Sequence, residues 1–538
     1  MATYIGLSLG TDNSVIAIIN KDQAAEVIAN EDGEHKTPTY IAFSGEEEYH
    51  GSQAKHQIVR NAQNTIRGFG DMLGQEFSSE LAAKHEGYAR IENKDGAAEF
   101  VVHMESEEGE KKELRLTAHE AMVRYLRRLR TTAEEYLGRA IEGAVVSVPV
   151  GKTKQQHKAI EQACEDAGLQ LLQLVEEPIA VAMQYGAGQD TRDQTLLVVD
   201  VGGTGTDVSV VTSSGGLLAV AGSAHTGEVS GQALDMVLAT HFAKEFQKQS
   251  GVDVLAEKDP RPARKLLQAV ELTKRTLSAA PTAPCAVESL YNGMDFSSTV
   301  SRTRFDILAN KVYAPLASVI DRALENAGYT SRQIDQVLLS GGAARVRKLQ
   351  MRVALMFPES TSVRDDAGEL DELAASGCAA QAALIAHGNV ELSETVKAPV
   401  LARPVGLQLA ADQLVPVLLK NTPLPASRSI KVALPAGEKR AYVAVSEGEP
   451  IAPPSEDEDD EDEDEDEGED GEDNEDEEEP AQYRPSKLLA EMVLELDAAN
   501  AATRIEVTFF ADANAKLTVT ATEPQSGKSI TAEIPPSN

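Results

Sequence analysis

The sequence has few of the residues that mark several large classes of protein. It contains no tryptophan, only 4% aromatic residues and three cysteines, Cys164, Cys285 and Cys378, among 538 residues. No two cysteines have the spacing of a metal or redox motif, so we expect structural thiols in a reducing compartment rather than a disulfide framework. No apolar run is long enough to span a bilayer, and no basic and apolar leader opens the chain. These absences predict a cytoplasmic protein without a membrane partner.

Basic residues are scarce relative to acidic ones. Lysine and arginine number 50 against 87 acids, and the tract Glu456–Glu479 supplies 21 acids and no base. Because binding to a phosphate backbone requires a basic face, direct contact with nucleic acid is not expected. The tract has almost nothing apolar to bury, which predicts a disordered insertion over 455–480. A solubilising loop and an interaction segment both remain open.

The sequence does contain a glycine-rich pattern that occurs twice. Residues 196–212, which read LLVVDVGGTGTDVSVVT, predict two buried strands joined by a tight turn. Residues 4–19 repeat this plan. Glycines let the turn backbone approach a bound anion, and Asp200 and Asp207 could hold a hydrated cation. One copy alone would favour an ordinary turn, but two copies suggest two similar lobes with a nucleotide between them.

Strand and helix signals alternate up to about residue 390, which predicts an α/β region. The predicted helices cover 119–137, 155–168, 261–279 and 304–328, and predicted strands include 144–149 and 336–340. From residue 404 onward, short alternating segments predict a half-buried antiparallel sheet. These segments are 405–410, 414–420, 429–434, 441–446, 505–509 and 517–520.

Several blocks of the sequence resemble the DnaK-like heat-shock chaperones of seventy kilodaltons. The blocks are 4–14, 144–186, 196–211, 271–278 and 337–345, and Glu177-Pro178 is among the nearly literal matches. The resemblance covers almost the whole chain. It implies an actin-like, two-lobed α/β nucleotide-binding domain over 1–390, a linker over 391–403 and an all-β sandwich over 404–538. The helical lid of the family is expected to be absent.

The resemblance implies ATP as the cofactor. The purine pocket of the family corresponds to Glu271, Lys274, Arg275 and Ser278. The same spacing would also suit a charged helix face in water, but the matching later block with Gly341, Gly342 and Arg345 favours the pocket, and Asp371 aligns with a further acid. The phosphate-side positions are Gly10, Thr11, Asp12, Asn13, Gly202, Gly203 and Thr204, and Asp200 and Asp207 are candidate magnesium ligands acting weakly through water.

The phosphate side departs from the family pattern. The chain has Ser8 where the family has an acid, Asp12 where it has threonine, and Gly70 where it has its catalytic lysine. Losing one such preorganised electrostatic group costs about 10²–10³-fold in rate. We therefore expect no catalytic residue, ATP that stays bound with little or no hydrolysis, and weakened magnesium binding. Arg67 and Lys55 lie near Gly70 in sequence, and whether either replaces the lysine is left open.

One branch of the family matches these departures. The fungal Ssz proteins also lack the lid and effective hydrolysis, and the stretch Glu48-Tyr49-His50-Gly51 resembles them. This likeness implies a stable heterodimer with a zuotin-like J-domain protein, indirect contact with the ribosome, and stimulation of a separate active seventy-kilodalton chaperone during folding of nascent chains. The alternatives are a nucleotide-exchange factor, whose branch is longer, and a weak ATP-driven foldase, which would need the lysine and the lid.

Overall fold

The computed structural model describes most of the chain. The described residues are 3–21, 23–105, 111–187, 194–214, 217–386, 401–409, 413–420, 422, 424, 426–434, 439–450, 483–496, 504–512, 515–524 and 526–535. The predicted disordered insertion over 455–480, and all of the predicted linker except 401–403, lie outside them. The chain divides into two compact units, Met1–Leu392 and Ser393–Asn538. In the described part, no helix is both long enough and apolar enough to cross a membrane.

The first half of unit one, which we call lobe one, is built around a mixed sheet. The order of its main strands is β12-β11-β1-β2-β3, with β1 parallel to β11 and antiparallel to β2. The strands of lobe one are β1 (Tyr4–Leu9), β2 (Asn13–Ile19), β3 (Ala25–Val27), β4 (Thr37–Pro38), β5 (Ile41–Ser44), β6 (Glu47–His50), β7 (Thr65–Ile66), β8 (Arg90–Lys94), β9 (Ala97–Glu105), β10 (Lys111–Thr117), β11 (Gly143–Val148) and β12 (Leu171–Glu176). Its helices are α1 (Gly51–His56), α2 (Ile58–Asn61), α3 (Phe69–Met72), α4 (Ser79–Ala83), α5 (Ala118–Leu137) and α6 (Lys154–Asp166).

Lobe two, residues 194–371, repeats the same sheet plan. Its order is β15-β14-β13-β18-β19, and β13 is antiparallel to β14 and parallel to β18. The strands are β13 (Gln194–Val201), β14 (Thr206–Ser214), β15 (Leu217–Thr226), β16 (Thr282–Tyr291), β17 (Met294–Ser301), β18 (Gln336–Ser340) and β19 (Ser362–Arg364). The helices are α8 (Gly231–Ser250), α9 (Arg261–Ala279), α10 (Arg302–Leu308), α11 (Asn310–Tyr313), α12 (Pro315–Ala327) and α13 (Arg347–Ala354).

Two helices, α7 (Glu177–Gln184) and α14 (Leu373–Ala386), connect the two lobes. Each lobe has its own hydrophobic core. A Cβ added to Gly6 of β1 would lie 2.2 Å from the Ala379 nitrogen, and one on Gly377 would lie 1.9 Å from the Ala180 carbonyl oxygen. Glycine is therefore required both where β1 packs on α14 and where α14 packs on α7, because a side chain at either position would prevent the backbones from approaching this closely.

The predicted helix over 304–328 is wrong in one respect, because three helices occupy this region. The first ends at Leu308 and the third begins at Pro315. Proline lacks a backbone N–H and suits the first turn of a helix, so the chain begins a new helix there instead of continuing the old one. Pro315 therefore accounts for the start of the third helix.

Unit two is an all-β sandwich. Its strands are β20 (Val405–Gln408), β21 (Leu414–Leu418), β22 (Ala426–Ala433), β23 (Arg440–Pro450), β24 (Tyr483–Glu495), β25 (Arg504–Ala511), β26 (Leu517–Thr522) and β27 (Ser529–Ile534). The first layer closes on itself in the order β20-β21-β24-β23, and the second is a sheet in the order β22-β25-β26-β27. Alternating apolar residues of both layers share one core. The predicted fold class, a two-lobed α/β unit followed by a β-sandwich, is confirmed.

Candidate nucleotide site

The turn of the first hairpin lies at the centre of the candidate site. A Cβ on Gly10 would lie 2.4 Å from the carbonyl oxygen of Asn13, so the tight turn requires glycine. Thr11 donates its hydroxyl to Asp71 at 3.3 Å. Asp12 points out of the turn, and its carboxylate accepts from Arg67 at 3.2 Å. The first hairpin thus presents a carboxylate rather than a neutral side chain.

The turn of the second hairpin meets the first. Gly202 N–H donates to the Gly205 carbonyl at 2.9 Å, which closes the turn. The carbonyls of Gly202 and Gly203 accept at 2.9 Å from the N–H groups of Gly231 and Gln232, where α8 begins. A Cβ on Gly203 would lie 1.9 Å from Oδ2 of Asp12, so the two turns are in contact. Thr204 is exposed at the tip of the turn.

Three carboxylates, those of Asp200, Asp207 and Glu177, lie near one another beside the second turn. Asp200 and Asp207 are directly opposite each other in the β13–β14 register. Ser340 donates to Asp200 at 2.7 Å, and His225 lies 2.9 Å from Asp207. Burial raises the pKa of Asp200 to about 6, despite the hydrogen bond from Ser340. Burial, together with the charges of Asp200 and Asp207, raises the pKa of Glu177 to about 8.

Burial disfavours the charged forms of Asp200 and Glu177, and a cation nearby would offset this cost. Such groups suit a hydrated magnesium ion, which binds one or two carboxylates and keeps several waters. No group of three or more His, Cys, Asp or Glu side chains within the described ranges is arranged as a direct metal cage. Asp200 and Asp207 could therefore hold magnesium through water. The sequence marked Glu177 only as part of a matching block, although an acid before proline at a helix start is a usable signal.

The purine-side residues lie on α9. Lys274 donates to the Gly231 carbonyl at 2.9 Å and to Asp235 at 2.7 Å, which holds α9 against the start of α8. Glu271 forms an ion pair across the cleft with Lys55 of lobe one at 2.9 Å. Arg275 is exposed and Ser278 is partly buried on the same helix. Because an exposed guanidinium can stack on a base, Arg275 is the group of α9 that could contact a purine.

The block after β18 completes the cleft. Gly341 has a φ of +87°, and a Cβ there would lie 2.6 Å from Oδ1 of Asp200. A Cβ on Gly342 would lie 3.5 Å from Oδ2 of Asp371, and Arg345 forms an ion pair with Asp371. Lys36 of lobe one also pairs with Asp371. Burial by itself would raise the pKa of Asp371, but Lys36 and Arg345 lower it below its usual range.

Gly70, which the resemblance aligns with the catalytic lysine of the family, brings no charge to its position. Gly70 lies in α3, and a Cβ there would lie 3.6 Å from the Met122 methyl group. Ser8 lies in β1, opposite Ser147 of β11. The two cations near Gly70 in sequence have other partners, since Arg67 pairs with Asp12 and Lys55 pairs with Glu271. Contacts join the two glycine-rich turns to each other, to the start of α8 and, through Lys274, to α9. Arg67 and Lys55 are both paired, so neither is free to replace the lysine.

Comparisons with known proteins give matches over most of the chain. A family model described as Hsp70 protein matches residues 4–455. The chain is 38% identical to a heat shock protein 70 homologue of Schizosaccharomyces pombe, over 98% of this chain and 94% of that protein. It is 34% identical to a ribosome-associated complex subunit of the Ssz type from Saccharomyces cerevisiae, over 83% of this chain and 84% of that protein. It is 30% identical to a ribosome-associated molecular chaperone of Eremothecium gossypii, over 83% of this chain and 70% of that protein.

Proposed function

Because the chain belongs to the Hsp70 protein family, we propose that it is an ATP-binding chaperone subunit with little or no hydrolytic activity. The observation that carries this proposal is the contrast within one cleft. The purine side has Glu271, Lys274 and Arg275 on one helix, whereas the phosphate side has Gly70 in place of a cation. A site of this kind would bind nucleotide by its purine side and lack the charge that stabilises a phosphoryl transition state.

Single-turnover hydrolysis tests this proposal. The full chain is loaded with radiolabelled ATP, desalted rapidly and followed over time, with an active seventy-kilodalton chaperone treated in parallel. We expect ATP to remain bound and uncleaved long after the active chaperone has converted its ATP. Equal turnover by the two proteins would refute the proposal. A titration with and without chelator measures the dependence on magnesium, which we expect to be weak because Ser8 brings no negative charge to the water shell of the cation.

We further propose that the protein acts in the cytoplasm as a stable partner of a J-domain protein. The similarity to a ribosome-associated complex subunit over 83% of this chain supports this assignment. In this role the J-domain protein would carry the contact with the ribosome. The heterodimer would then stimulate a separate, active seventy-kilodalton chaperone on nascent chains. A net charge of −37 is consistent with indirect rather than direct contact with ribosomal RNA.

Reconstitution distinguishes this role from nucleotide exchange. The purified chain is mixed with ribosomes alone, with a zuotin-like J-domain protein, and with an active seventy-kilodalton chaperone. We expect co-sedimentation with ribosomes only when the J-domain protein is present. Binding to the active chaperone alone, with accelerated release of its ADP, would instead favour a nucleotide-exchange factor.

The β-sandwich offers a place for an extended partner segment. Strands β22 and β27 are the edges of the second layer, and most side chains of β22 are exposed. An unpaired edge can receive an added strand through main-chain hydrogen bonds. We propose that a segment of the J-domain partner pairs with the sandwich in this way. Proline at the positions of β22 whose N–H groups point away from β25 should then weaken partner binding in the full chain. Proline in β26, which is paired on both sides, should instead unfold the sandwich.

A further inference from the structure

The carboxylate of Asp12 lies where the two lobes meet. Its Oδ1 accepts from Arg67 of lobe one at 3.2 Å, and both of its oxygens accept from Nε2 of Gln232 of lobe two, at 3.0 and 3.1 Å. Its Oδ2 also lies against Gly203, where an added Cβ would be only 1.9 Å away. One side chain therefore joins both glycine-rich turns and the first turn of α8.

The cationic partner of Asp12 is deeply buried. Arg67 is 8% exposed, and its guanidinium lies over the rings of Tyr40 and Tyr88, at 5.6 and 5.1 Å from their centroids. The only carboxylate in the described part of the chain that pairs with Arg67 is Asp12. Removing one member of a buried ion pair is costly because it leaves the other charge uncompensated. The pair thus holds the Asp12 carboxylate at this position.

The carboxylate of Asp12 lies beside two features that favour anions, a glycine-rich turn and the first turn of a helix. These features meet at Gly203 and Gln232, where the N–H of Gln232 donates to the Gly203 carbonyl. The donors to Asp12 are therefore side chains, the guanidinium of Arg67 from its own lobe and the amide of Gln232 from the opposite lobe. Lys36 and Lys55 of lobe one form two more ion pairs across the same cleft, with Asp371 and Glu271.

We infer that Asp12 is an internal anion that holds the two lobes together where the phosphates of a nucleotide would otherwise do so. This inference deepens the proposed function, and the part of it that concerns nucleotide binding rests on that function. It has two consequences. The cleft stays closed without nucleotide, and the phosphate chain of an incoming nucleotide competes with the Asp12 carboxylate.

Distances between spin labels measure the first consequence in the full chain. Cysteines are introduced at the exposed positions Gln53 of lobe one and Ala286 of lobe two, while the three native cysteines are buried and would escape labelling. We expect the labelled chain that keeps Asp12 to give the same narrow distance distribution with and without ATP. With Asp12→Asn, we expect a longer and broader distribution without ATP that shortens when ATP is added.

Two further variants keep the test decisive. Gln232→Ala removes only the contact on lobe two and affects an exposed side chain, so it should fold normally and open the cleft in the same direction. Asp32→Asn removes an exposed acid elsewhere on lobe one and should behave as the parent chain. Opening of the parent cleft on removal of nucleotide, to the extent seen in the variants, would overturn the inference.

Calorimetry with magnesium and ATP, ADP or adenosine measures the second consequence. Removing one negative charge near the phosphate chain should strengthen binding of ATP by about tenfold and leave adenosine unchanged. Equal ATP affinity of the parent chain and Asp12→Asn would overturn the inference while leaving ATP binding intact. Failure of both chains to bind any nucleotide would refute the proposed function, and the spin-label distances without nucleotide would then decide the inference alone.

Discussion

At the scale of single residues, Glu48 illustrates how a surface stretch is held in place. Its carboxylate pairs with His50 at 2.9 Å and with Arg124 of α5. Burial by itself would raise the pKa of Glu48, but these two partners lower it below its ordinary value. A carboxyl with a lowered pKa in the folded state stabilises the protein above its unfolded pKa and loses this effect as the pH falls through its folded pKa.

Glu48→Gln should therefore lower the free energy of unfolding by about 1 kcal/mol at neutral pH. The difference should shrink as the pH falls from 4.5, the ordinary pKa of a glutamate, through the lowered pKa of Glu48, because its carboxyl then becomes as uncharged as the amide of Gln. Urea unfolding at neutral and acidic pH measures it. Glu46→Gln, which changes an exposed acid nearby, should have no effect. A difference that is constant at every pH would contradict the electrostatic explanation.

Gly70 permits a direct test of the lost cation. A Cβ there meets only the Met122 methyl group at 3.6 Å, an ordinary contact, so a side chain should be tolerated. Gly70→Lys should raise single-turnover hydrolysis, but by less than the roughly 10²–10³-fold typical of one preorganised group, because Ser8 and Asp12 remain. Gly70→Met, which adds similar length without charge, should leave the rate unchanged. An equal increase in both variants would rule out an electrostatic role.

The glycines and acids of the cleft could be predicted from sequence, because each belongs to a local pattern. The partners of Asp12 could not, since Arg67 and Gln232 are 55 and 220 residues away. Contacts of this kind depend on the docking of two lobes and leave no periodic signal. The same reason explains why Lys36 was missed as a partner of Asp371.

At the scale of elements, the hairpin strands were predictable because apolar runs end in glycine-rich turns. Strand β24 was missed, since Arg484-Pro485-Ser486-Lys487 near its beginning lacks clean alternation. Its pairing with β23 shifts register twice, which relaxes the requirement for alternation. Long-range pairing therefore overrode the local pattern.

The packing of α14 gives a prediction at this scale. Gly377 approaches α7 so closely that an added methyl group would overlap the Ala180 carbonyl. Gly377→Ala should lower the free energy of unfolding by about 1–3 kcal/mol, the usual cost of overpacking. Leu384→Ala on the same helix changes a side chain that is 51% exposed and should cost no more than about 0.5 kcal/mol. Thermal melting followed by circular dichroism measures both, and an equal effect would contradict the close approach.

At the scale of the whole molecule, the repeated sheet plan makes the two-lobed unit predictable from two short hairpins. The strands β1 and β13 occupy equivalent central positions, each flanked by an antiparallel hairpin partner and a parallel strand. The sandwich was predictable only in outline, because short exposed strands carry weak signals. Charge was the clearest global feature of the sequence, and most of it lies in one tract.

That tract is joined to the sandwich at one well-defined place. The pairing of β23 with β24 runs up to Pro450 opposite Tyr483, so the two described residues that flank segment 451–482 lie beside each other. Replacing Glu456–Glu479 with a Gly-Ser linker of about eight residues should therefore leave the sandwich closed. Halving the length of such a loop changes the closure entropy by only about 0.6 kcal/mol. We expect an unchanged melting temperature and unchanged ATP affinity, and a large fall in melting temperature would mean that the tract packs on the folded protein.

A second variant separates the two roles left open for the tract. Shuffling residues 456–479 keeps their 21 acids but destroys any specific order. If the tract only keeps the protein soluble, the shuffled chain should match the parent in partner binding and in solubility, whereas the Gly-Ser chain should lose solubility near the isoelectric point. If the tract is an interaction segment that the partner recognises by its charge, only the Gly-Ser chain should lose partner binding. Added salt should then weaken binding of the partner to the parent chain. Loss of binding in both variants would mean that the order of the residues is recognised, which a purely electrostatic role does not allow.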